Sequence, residues 1–185
     1  MTSIAIIGPQ GSGKSTLAEM LVEHRGYVRM GIADPIKALV RNVYGDIAKD
    51  DPITVRNYGG PHYTTGRELL QDIGAAMREV DLDFWLRQVR LRYLEAARAG
   101  RFIVLDDVRL DREAEYLRHI DPYLVVVRVS AHSARRSERI GRLISPSDVT
   151  ETGWSQCQPD LIIDTTDLTP EQAYRELTDW LEFPR

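Results

Sequence analysis

Residues 8–16 read Gly-Pro-Gln-Gly-Ser-Gly-Lys-Ser-Thr, which has the glycine, lysine and hydroxyl spacing of a phosphate-binding loop. The loop lies between an apolar run at 4–7, typical of a buried strand, and a helical pattern at 15–25. In such a loop, Lys14 reaches the β- and γ-phosphates of a nucleoside triphosphate, and the Ser15 hydroxyl binds Mg²⁺. We therefore predict a site for ATP and Mg²⁺. The residues expected to contact them are Gly11, Ser12, Gly13, Lys14, Ser15 and Thr16.

A second group of charged residues follows the apolar stretch 102–105. Asp106 and Asp107 end that stretch, as expected for a carboxylate that supports Mg²⁺, although acids are also common turn residues. Alternation along an extended chain puts the two carboxylates on opposite sides. Asp107, the acid in the pattern Asp107-x-Arg109, is the predicted metal ligand together with Ser15. Arg109 comes just beyond, at the strand end where ligands bind in parallel sheets.

Two further segments carry arginines at helical spacing. In the helix predicted over 66–79, one face carries polar residues and the opposite face is apolar, which is also typical of a solvated amphipathic helix. The polar face consists of Arg67, Gln71, Gly74 and Arg78, and the apolar face of Leu69, Leu70, Ile73 and Met77.

The segment 131–153 follows a predicted strand in the half of the chain where nucleotide kinases keep a lid over the transferred phosphoryl group. A solvated surface is the alternative for such a charge run. The lid hypothesis makes Arg139 a catalytic residue and Arg135 an ATP contact. The arginines of the segment are Arg135, Arg139 and Arg142 on one face, with Arg136 beside them.

The order of predicted elements indicates an α/β protein. Apolar runs at 3–7, 27–32, 101–106, 124–129 and 161–164 predict a parallel sheet of about five strands. Helical patterns at 14–25, 35–44, 66–79, 83–98, 111–119, 131–143 and 170–182 predict helices on both faces. We expect one P-loop NTPase domain over 1–185, with a helical acceptor-binding insertion at 46–98. Residues 45–65 contain several Asp, Gly and Pro residues and are expected to form a long irregular loop.

Composition narrows the class of protein. The 185-residue chain has a formal net charge of −4, which argues against a nucleic-acid partner. Its single cysteine, Cys157, excludes an internal disulfide and a cysteine-based zinc site. The first strand begins at once and the chain has no long apolar run, so we expect no signal peptide, no membrane span and a cytoplasmic location. Neither Asn42 nor Asn57 begins the Asn-Lys-x-Asp motif of GTPases, and motors or oligomeric ATPases normally need longer chains.

The sequence resembles the bacteriophage deoxynucleoside monophosphate kinases almost from end to end. The most specific motifs are Asp34-Pro-Ile-Lys37, Arg67-Glu-Leu-Leu-Gln71-x-x-Gly74 and Asp107-x-Arg109-x-x-x-Glu113, in that order. The other matching stretches are 8–16, 38–45, 126–128, 150–153 and 159–164, with Arg78 and residues 84–85. The chain lacks the mid-chain insertion of the larger members, and some members lack its arginine-rich segment.

The resemblance implies transfer of the γ-phosphoryl group of ATP to the 5′-phosphate of a deoxynucleoside monophosphate (dNMP), with Mg²⁺, for supply of phage DNA precursors. It implies that Lys14, Asp107 and Arg109 are catalytic, and it would place the enzyme in the cytoplasm of an infected bacterium. The acceptor-binding residues it implies are Asp34, Lys37, Arg67, Gln71, Arg78, Arg109, Arg128 and Glu151.

Two other functions stay open at this point. The chain could phosphorylate a hydroxymethylated base in phage DNA, which would need a broad basic groove, or it could bind ATP without transferring phosphate. A homodimer is compatible with the sequence, which does not fix the oligomeric state. Trp85 could stack on a base, but an aromatic residue on an apolar helix face is more often in the core, and we expect the core position.

Overall fold

Five short apolar segments form one parallel sheet, as the sequence predicts. In the computed structural model, which describes residues 2–141, 153 and 155–183, neighbouring strands are parallel throughout this sheet. Two more strands, β3 and β4, form a separate hairpin. The sheet strands are β1 (Ile4–Ile7), β2 (Val28–Met30), β5 (Ile103–Leu105), β6 (Val125–Ser130) and β7 (Leu161–Asp164), in the order β2-β5-β1-β6-β7.

The chain divides into two compact units, and the sheet belongs to the first, Met1–Gly31 with Arg90–Arg185. The helices wholly within this unit are α1 (Lys14–Arg25), α5 (Asp111–Ile120), α6 (Ser133–Ile140) and α7 (Pro170–Glu182). Helix α7 begins as predicted, with Thr169 in a capping box with Gln172. In the part of the chain that the structure describes, no helix is both long and apolar enough to cross a membrane.

The core of the first unit explains why the strands are continuous apolar runs. All four residues of β1 are fully buried, which requires cover on both faces of the sheet. On one face, Ile4 and Ile6 pack in a cluster with Leu17 of α1 and Leu177 of α7. Val104 of β5 belongs to the same cluster, so α1 and this face of β5 share one core.

The second unit, Ile32–Val89, contains the predicted helices and a hairpin that we did not predict. Its helices are α2 (Asp34–Tyr44), α3 (Gly66–Val80) and the first part of α4 (Phe84–Arg98). A capping box between Thr65 and Glu68 fixes the start of α3.

The expected irregular loop at 45–65 is wrong, because β3 (Pro52–Asn57) and β4 (Gly60–Thr65) pair as an antiparallel hairpin. Pro52 and Pro61 argue against a central strand. In a two-stranded ribbon, however, each strand has a free edge, where a missing N–H is tolerated. The alternation of Ile53 and Val55 with polar residues is the strand pattern that the prolines and glycines obscured.

Because the strands of the sheet are parallel, their carboxyl ends lie at one edge. In the first unit, segments that follow the strands at this edge start at Gly8 after β1, Asp106 after β5, Ala131 after β6 and Thr165 after β7. These are the segments in which the sequence places the phosphate-binding loop, the acids and the arginine-rich helix. Ligands bind at this edge in open α/β sheets.

Candidate active site

The loop between β1 and α1 has a shape that requires glycine. Gly8 has a φ of 133°, and a Cβ atom there would overlap the carbonyl oxygen of Val129 on β6. Gly13, with a φ of 98°, immediately precedes α1, and within the described ranges no side chain caps this helix start. The first N–H groups of α1 are therefore not used by a side-chain cap, and a phosphate is the kind of acceptor that such a helix terminus binds.

Lys14 lies over this loop. Its Nζ donates to the carbonyl oxygens of Gly8 at 2.8 Å and Pro9 at 2.7 Å. The ammonium group is thus already at the loop, as the motif predicts. A phosphate bound at the loop would meet a fixed positive charge there.

Ser12 is the buried centre of the loop. Its side chain is fully buried, and its Oγ has no hydrogen-bond partner among the described residues. Its carbonyl oxygen accepts a 2.7 Å hydrogen bond from Oγ1 of Thr165. Since buried polar atoms normally have partners, the Ser12 hydroxyl is an unsatisfied group that a polar ligand at this loop can satisfy.

Asp106 is an acid that contacts Ser15 of the phosphate-binding motif. Its carboxylate is buried, hydrogen-bonds the side chain of Ser15, and forms a bidentate pair with Arg29. The Arg29 Nε–Asp106 Oδ1 distance is 3.0 Å and the Nη2–Oδ2 distance is 2.6 Å. Asp106 therefore points toward Ser15, contrary to its expected orientation, and the choice of metal ligand stays a prediction.

The register of the sheet gives the physical reason. Asp106 lies two residues after Val104, and Arg29 of β2 pairs with Val104, so all three side chains are on the same face. Helix α1 covers that face, and Ser15 lies in the first turn of α1. Because both faces of the strand are apolar and buried, the sequence pattern cannot tell which acid faces α1.

The environment of Asp106 favours its charged form. Burial acts to raise the pKa of this carboxyl, but the hydrogen bonds from Arg29 and Ser15 and the charge of Arg29 outweigh it. The pKa of Asp106 is consequently below its ordinary value. Near neutral pH the group is a carboxylate next to a hydroxyl, which is a donor set that fits Mg²⁺.

Glu113 explains the spacing of the Asp107-x-Arg109-x-x-x-Glu113 motif. Its Oε2 accepts hydrogen bonds from the backbone N–H groups of Arg109 at 2.7 Å and Leu110 at 3.0 Å. Burial raises the pKa of Glu113 and outweighs the lowering effect of these two donors. The glutamate holds the turn that presents Asp107, which is half-buried, and Arg109, which is exposed.

We expect Glu113→Ala to lower the free energy of unfolding by about 1–3 kcal/mol, because two N–H groups lose their acceptor. Glu113→Gln should lose much less, since an amide oxygen can accept the same two hydrogen bonds. Urea denaturation of both variants against the unmodified chain measures the difference. Equal losses for the two variants would contradict the capping role.

The arginines of α6 point to different partners. Arg135 Nη1 pairs with Glu138 at 2.6 Å, whereas Arg136 Nη1 donates to the Gln10 carbonyl at 3.0 Å. Arg139 donates to the carbonyl oxygen of Thr165 at 2.6 Å and to that of Gly11 at 3.3 Å. Two of these three arginines therefore contact the phosphate loop itself.

Three other residues that the sequence analysis names belong to the first unit by number: Arg128, Arg142 and Glu151. Arg128 Nη2 donates to the carbonyl oxygen of Cys157 at 2.7 Å, so it supports the segment before β7. Arg142 and Glu151 lie outside the described residues, as does most of the predicted lid after Gly141.

In the second unit, the predicted acceptor residues lie on α2 and α3. Lys37 Nζ is 3.6 Å from Asp34 Oδ1, and Arg67 Nη2 is 3.2 Å from Asp50 Oδ1. Gln71 and Arg78 are exposed on α3. Their polar head groups are accessible to solvent, as a site for a charged small molecule requires.

At Gly74, the polar face of α3 also packs against other side chains. The Arg78 guanidinium lies over it, since a Cβ at Gly74 would be 3.6 Å from Arg78 Nη1 and 3.4 Å from Ile36 Cδ1. The Gly74 carbonyl accepts a 3.1 Å hydrogen bond from Trp85 Nε1. Trp85 is 5% exposed, which confirms the expected core position.

Sequence reasoning missed Arg29 and Thr165, and it named Arg136 only as a neighbour of the predicted lid arginines. Arg29 lies within a short strand, and nothing local signals that its partner is 77 residues away. Thr165 directly follows β7, so its position at the carboxyl edge was a usable signal.

The residues present fit ATP and Mg²⁺. Among the described residues no group of three or more His, Cys, Asp or Glu side chains could hold a metal ion by themselves. Mg²⁺ does not need one, because it usually takes one or two protein ligands and completes its shell with phosphates and water. Ser15 and Asp106 would hold it.

Comparisons with known proteins found a relative in sequence and several proteins with a similar fold. A protein of Acanthamoeba polyphaga mimivirus, provisionally named a deoxynucleotide monophosphate kinase, is 24% identical over 151 residues, covering 69% of this chain and 74% of that protein. The structure of a sugar kinase from Janibacter sp. HTCC2649 has a TM-score of 0.59 at 16% identity, covering 98% of this chain and 95% of that one. The APS kinase CysC of Mycobacterium tuberculosis, in complex with AMPPNP and APS, has a TM-score of 0.56 at 14% identity, covering 98% of both chains.

The sequence profile of one family matches most of the chain. It is AAA_18, described as an AAA domain, and the match runs over residues 4–146. Within it lie the phosphate loop, the Ser15–Asp106 contact and the described part of the arginine-rich helix. This chain therefore belongs to the AAA domain family AAA_18, and its fold is that of the P-loop kinases.

Proposed function

We propose that this chain transfers the γ-phosphoryl group of ATP to the 5′-phosphate of a deoxynucleoside monophosphate, giving ADP and a deoxynucleoside diphosphate. The observation that carries the ATP half is the cluster of Lys14, Ser15 and Asp106 at the carboxyl edge of the sheet. The acceptor half is supported by the polar face of α3 and by the mimivirus relative. The fold neighbours do not identify the acceptor, because they share only the fold.

The proposed step needs little covalent chemistry from the protein. An oxygen of the acceptor 5′-phosphate bonds to the γ-phosphorus while the bond between that phosphorus and the β,γ-bridging oxygen breaks. No general base is required, because the attacking phosphate is already anionic near neutral pH. Catalysis therefore consists of positioning and charge neutralisation.

The chain supplies that neutralisation through a few side chains. Lys14 and the first N–H groups of α1 would bind the β- and γ-phosphates. Ser15 and Asp106 would hold Mg²⁺, which would supply positive charge beside the phosphates. Asp107, beside Asp106, would lie close to the reacting groups, and Arg139 would act on the γ-phosphate from α6.

The acceptor would be held by cations that suit one small dianion. Arginine binds phosphate oxygens with two parallel hydrogen bonds, which fixes orientation as well as charge. We assign this role to Arg67, Arg78 and Arg109, with further contacts from Asp34, Lys37, Gln71, Arg128 and Glu151.

The test is transfer of label from γ-labelled ATP to a panel of acceptors. The panel contains the four common dNMPs, the corresponding ribonucleotides, DNA with hydroxymethylated pyrimidines, and the hydroxyl acceptors gluconate and shikimate. We expect label in the dNMPs, no label in the DNA and no competition by it. Label only in the DNA would favour a DNA-base kinase, and label only in gluconate or shikimate would favour a metabolite kinase. No transfer to any acceptor, with ATP still bound, would favour a non-catalytic module.

Arg67→Ala and Arg78→Ala are each expected to raise the KM for dNMP about tenfold or more, because a charge-assisted hydrogen bond is typically worth about 1.5–3 kcal/mol. The affinity for ATP should stay nearly unchanged. Steady-state rates measure the KM for dNMP, and calorimetric titration with an ATP analogue and with dNMP separately measures the two affinities.

Arg41→Ala is the matched control, since Arg41 is in the same unit and forms a comparable exposed pair with Asp46 at 2.7 Å. It should change neither affinity. Loss of ATP affinity with intact dNMP affinity in the Arg67 or Arg78 variants would contradict the acceptor assignment.

A further inference from the structure

The carbonyl oxygens of five successive loop residues all accept hydrogen bonds from side chains. Lys14 Nζ donates to the first two of these carbonyl oxygens, those of Gly8 and Pro9. The next three donors come from elements distant in sequence. They are Arg136 to Gln10 at 3.0 Å, Arg139 to Gly11 at 3.3 Å and Thr165 to Ser12 at 2.7 Å.

This pattern has a consequence for the N–H groups of the loop. In a planar trans peptide, the C=O and the following N–H point in opposite directions. A donor that holds the carbonyl therefore also fixes the direction of the N–H on the same peptide. Since Pro9 has no N–H, the groups oriented in this way before any anion binds are the N–H groups of residues 10–13, and this lowers the cost of ordering the loop.

Arg136 ties two backbone segments together, as Arg139 also does, and its contact with the loop is the shorter of the two, 3.0 Å against 3.3 Å. Its Nη1 reaches the Gln10 carbonyl, and its Nε donates to the carbonyl of Ala131 at 3.1 Å, at the junction of β6 and α6. The loop also packs closely on the same turn of α6. A Cβ at Gly11 would be 3.0 Å from the Arg136 carbonyl oxygen and 3.1 Å from Ile140 Cγ2.

We propose that Arg136 is a positioning residue that holds the phosphate loop in its binding conformation by linking Gln10 to the start of α6. This role rests on the proposed ATP site, but it does not depend on which acceptor is used. Arg136 does not need to touch the nucleotide. Its effect passes through the backbone of the loop.

The first test needs no ligand. Hydrogen exchange of the backbone amides of residues 10–13 is compared in the unmodified chain, Arg136→Gln and Arg118→Gln. Arg118 of α5 is the matched control, because its Nη2 also donates to a backbone carbonyl, that of Gln158 at 2.8 Å, and pairs with Asp160 at 2.9 Å. We expect about tenfold faster loop exchange in Arg136→Gln, from loss of one charge-assisted hydrogen bond, and no change in Arg118→Gln.

The second test measures binding of a non-hydrolysable ATP analogue and of dNMP to the same variants. We expect analogue affinity to fall about tenfold in Arg136→Gln, with dNMP affinity unchanged. Arg136→Lys, which keeps one donor, should recover part of the loss and also serves if the glutamine variant does not fold.

Loop exchange and analogue affinity within twofold of the Arg118→Gln values would overturn the proposal. Equal losses of analogue and dNMP affinity, with faster exchange throughout the sheet, would also overturn it, since they indicate general destabilisation. Failure of the unmodified chain to bind the analogue would remove the ATP site and this role together. A chain that binds the analogue but phosphorylates no dNMP would contradict only the acceptor assignment.

Discussion

Replacing Lys14 with alanine is expected to lower kcat by about 10²–10³, because one preorganised charge at the transferring phosphate is typically worth about 3–4 kcal/mol. Lys14 Nζ is already held at the loop by the Gly8 and Pro9 carbonyls, so the charge is in place before nucleotide binds. The rate of ADP formation at saturating ATP and acceptor measures the loss.

The alanine variant also removes the donors to two loop carbonyls, so its fold must be checked. A thermal unfolding midpoint close to that of the unmodified chain would show that the loss of rate is electrostatic. Lys14→Met, which keeps most of the side-chain length without the charge, should lose a similar factor. A folded Lys14→Ala protein with nearly normal kcat would refute the loop as the catalytic ATP site.

Asp106→Asn is expected to damage Mg²⁺-dependent activity more than Asp107→Asn does. The Asp106 carboxylate contacts Ser15 and pairs with Arg29. Replacing it with an amide would remove the negative charge beside the hydroxyl that we propose as a metal ligand. We expect at least a tenfold higher Mg²⁺ concentration for half-maximal rate, equivalent to about 1.4 kcal/mol or more. Rates measured across a Mg²⁺ titration at fixed ATP give this value.

Asp107→Asn is the natural control, because it changes the neighbouring residue in the same chemical way. It should shift the Mg²⁺ requirement less, while its effect on the acceptor KM tests whether Asp107 acts near the reacting groups. If Asp107→Asn shifts the Mg²⁺ requirement more, the metal is held from the other side of the strand and our assignment of Asp106 is wrong.

The order and type of the main elements followed from local sequence. Apolar runs such as Ile4–Ile7 and Leu161–Asp164 were recognisable as strands, and the Thr169 cap marked the start of α7. The hairpin at 52–65 escaped prediction because its prolines and glycines resemble those of a loop. Their tolerance there depends on the ribbon having two free edges, which is a property of the pairing and not of the segment.

The phosphate loop was equally local. Glycines, lysine and hydroxyl lie within residues 8–16, and their roles depend on one turn and the helix that follows it. The Trp85 core position could likewise be expected from the apolar face on which it lies. Features of this kind are encoded by residues a few positions apart, so spacing alone is informative.

Long-range pairing, by contrast, was decided only by the tertiary structure. Which of Asp106 and Asp107 faces Ser15 depends on the register between β2 and β5 and on the helix covering that face. The link from Arg136 to Gln10 spans 126 residues. Such contacts are set by how strands align and helices pack, and strands buried on both faces carry no alternation that would reveal them. Sequence spacing thus located the phosphate-binding chemistry, whereas packing of the sheet and helices selected the side chains that orient it.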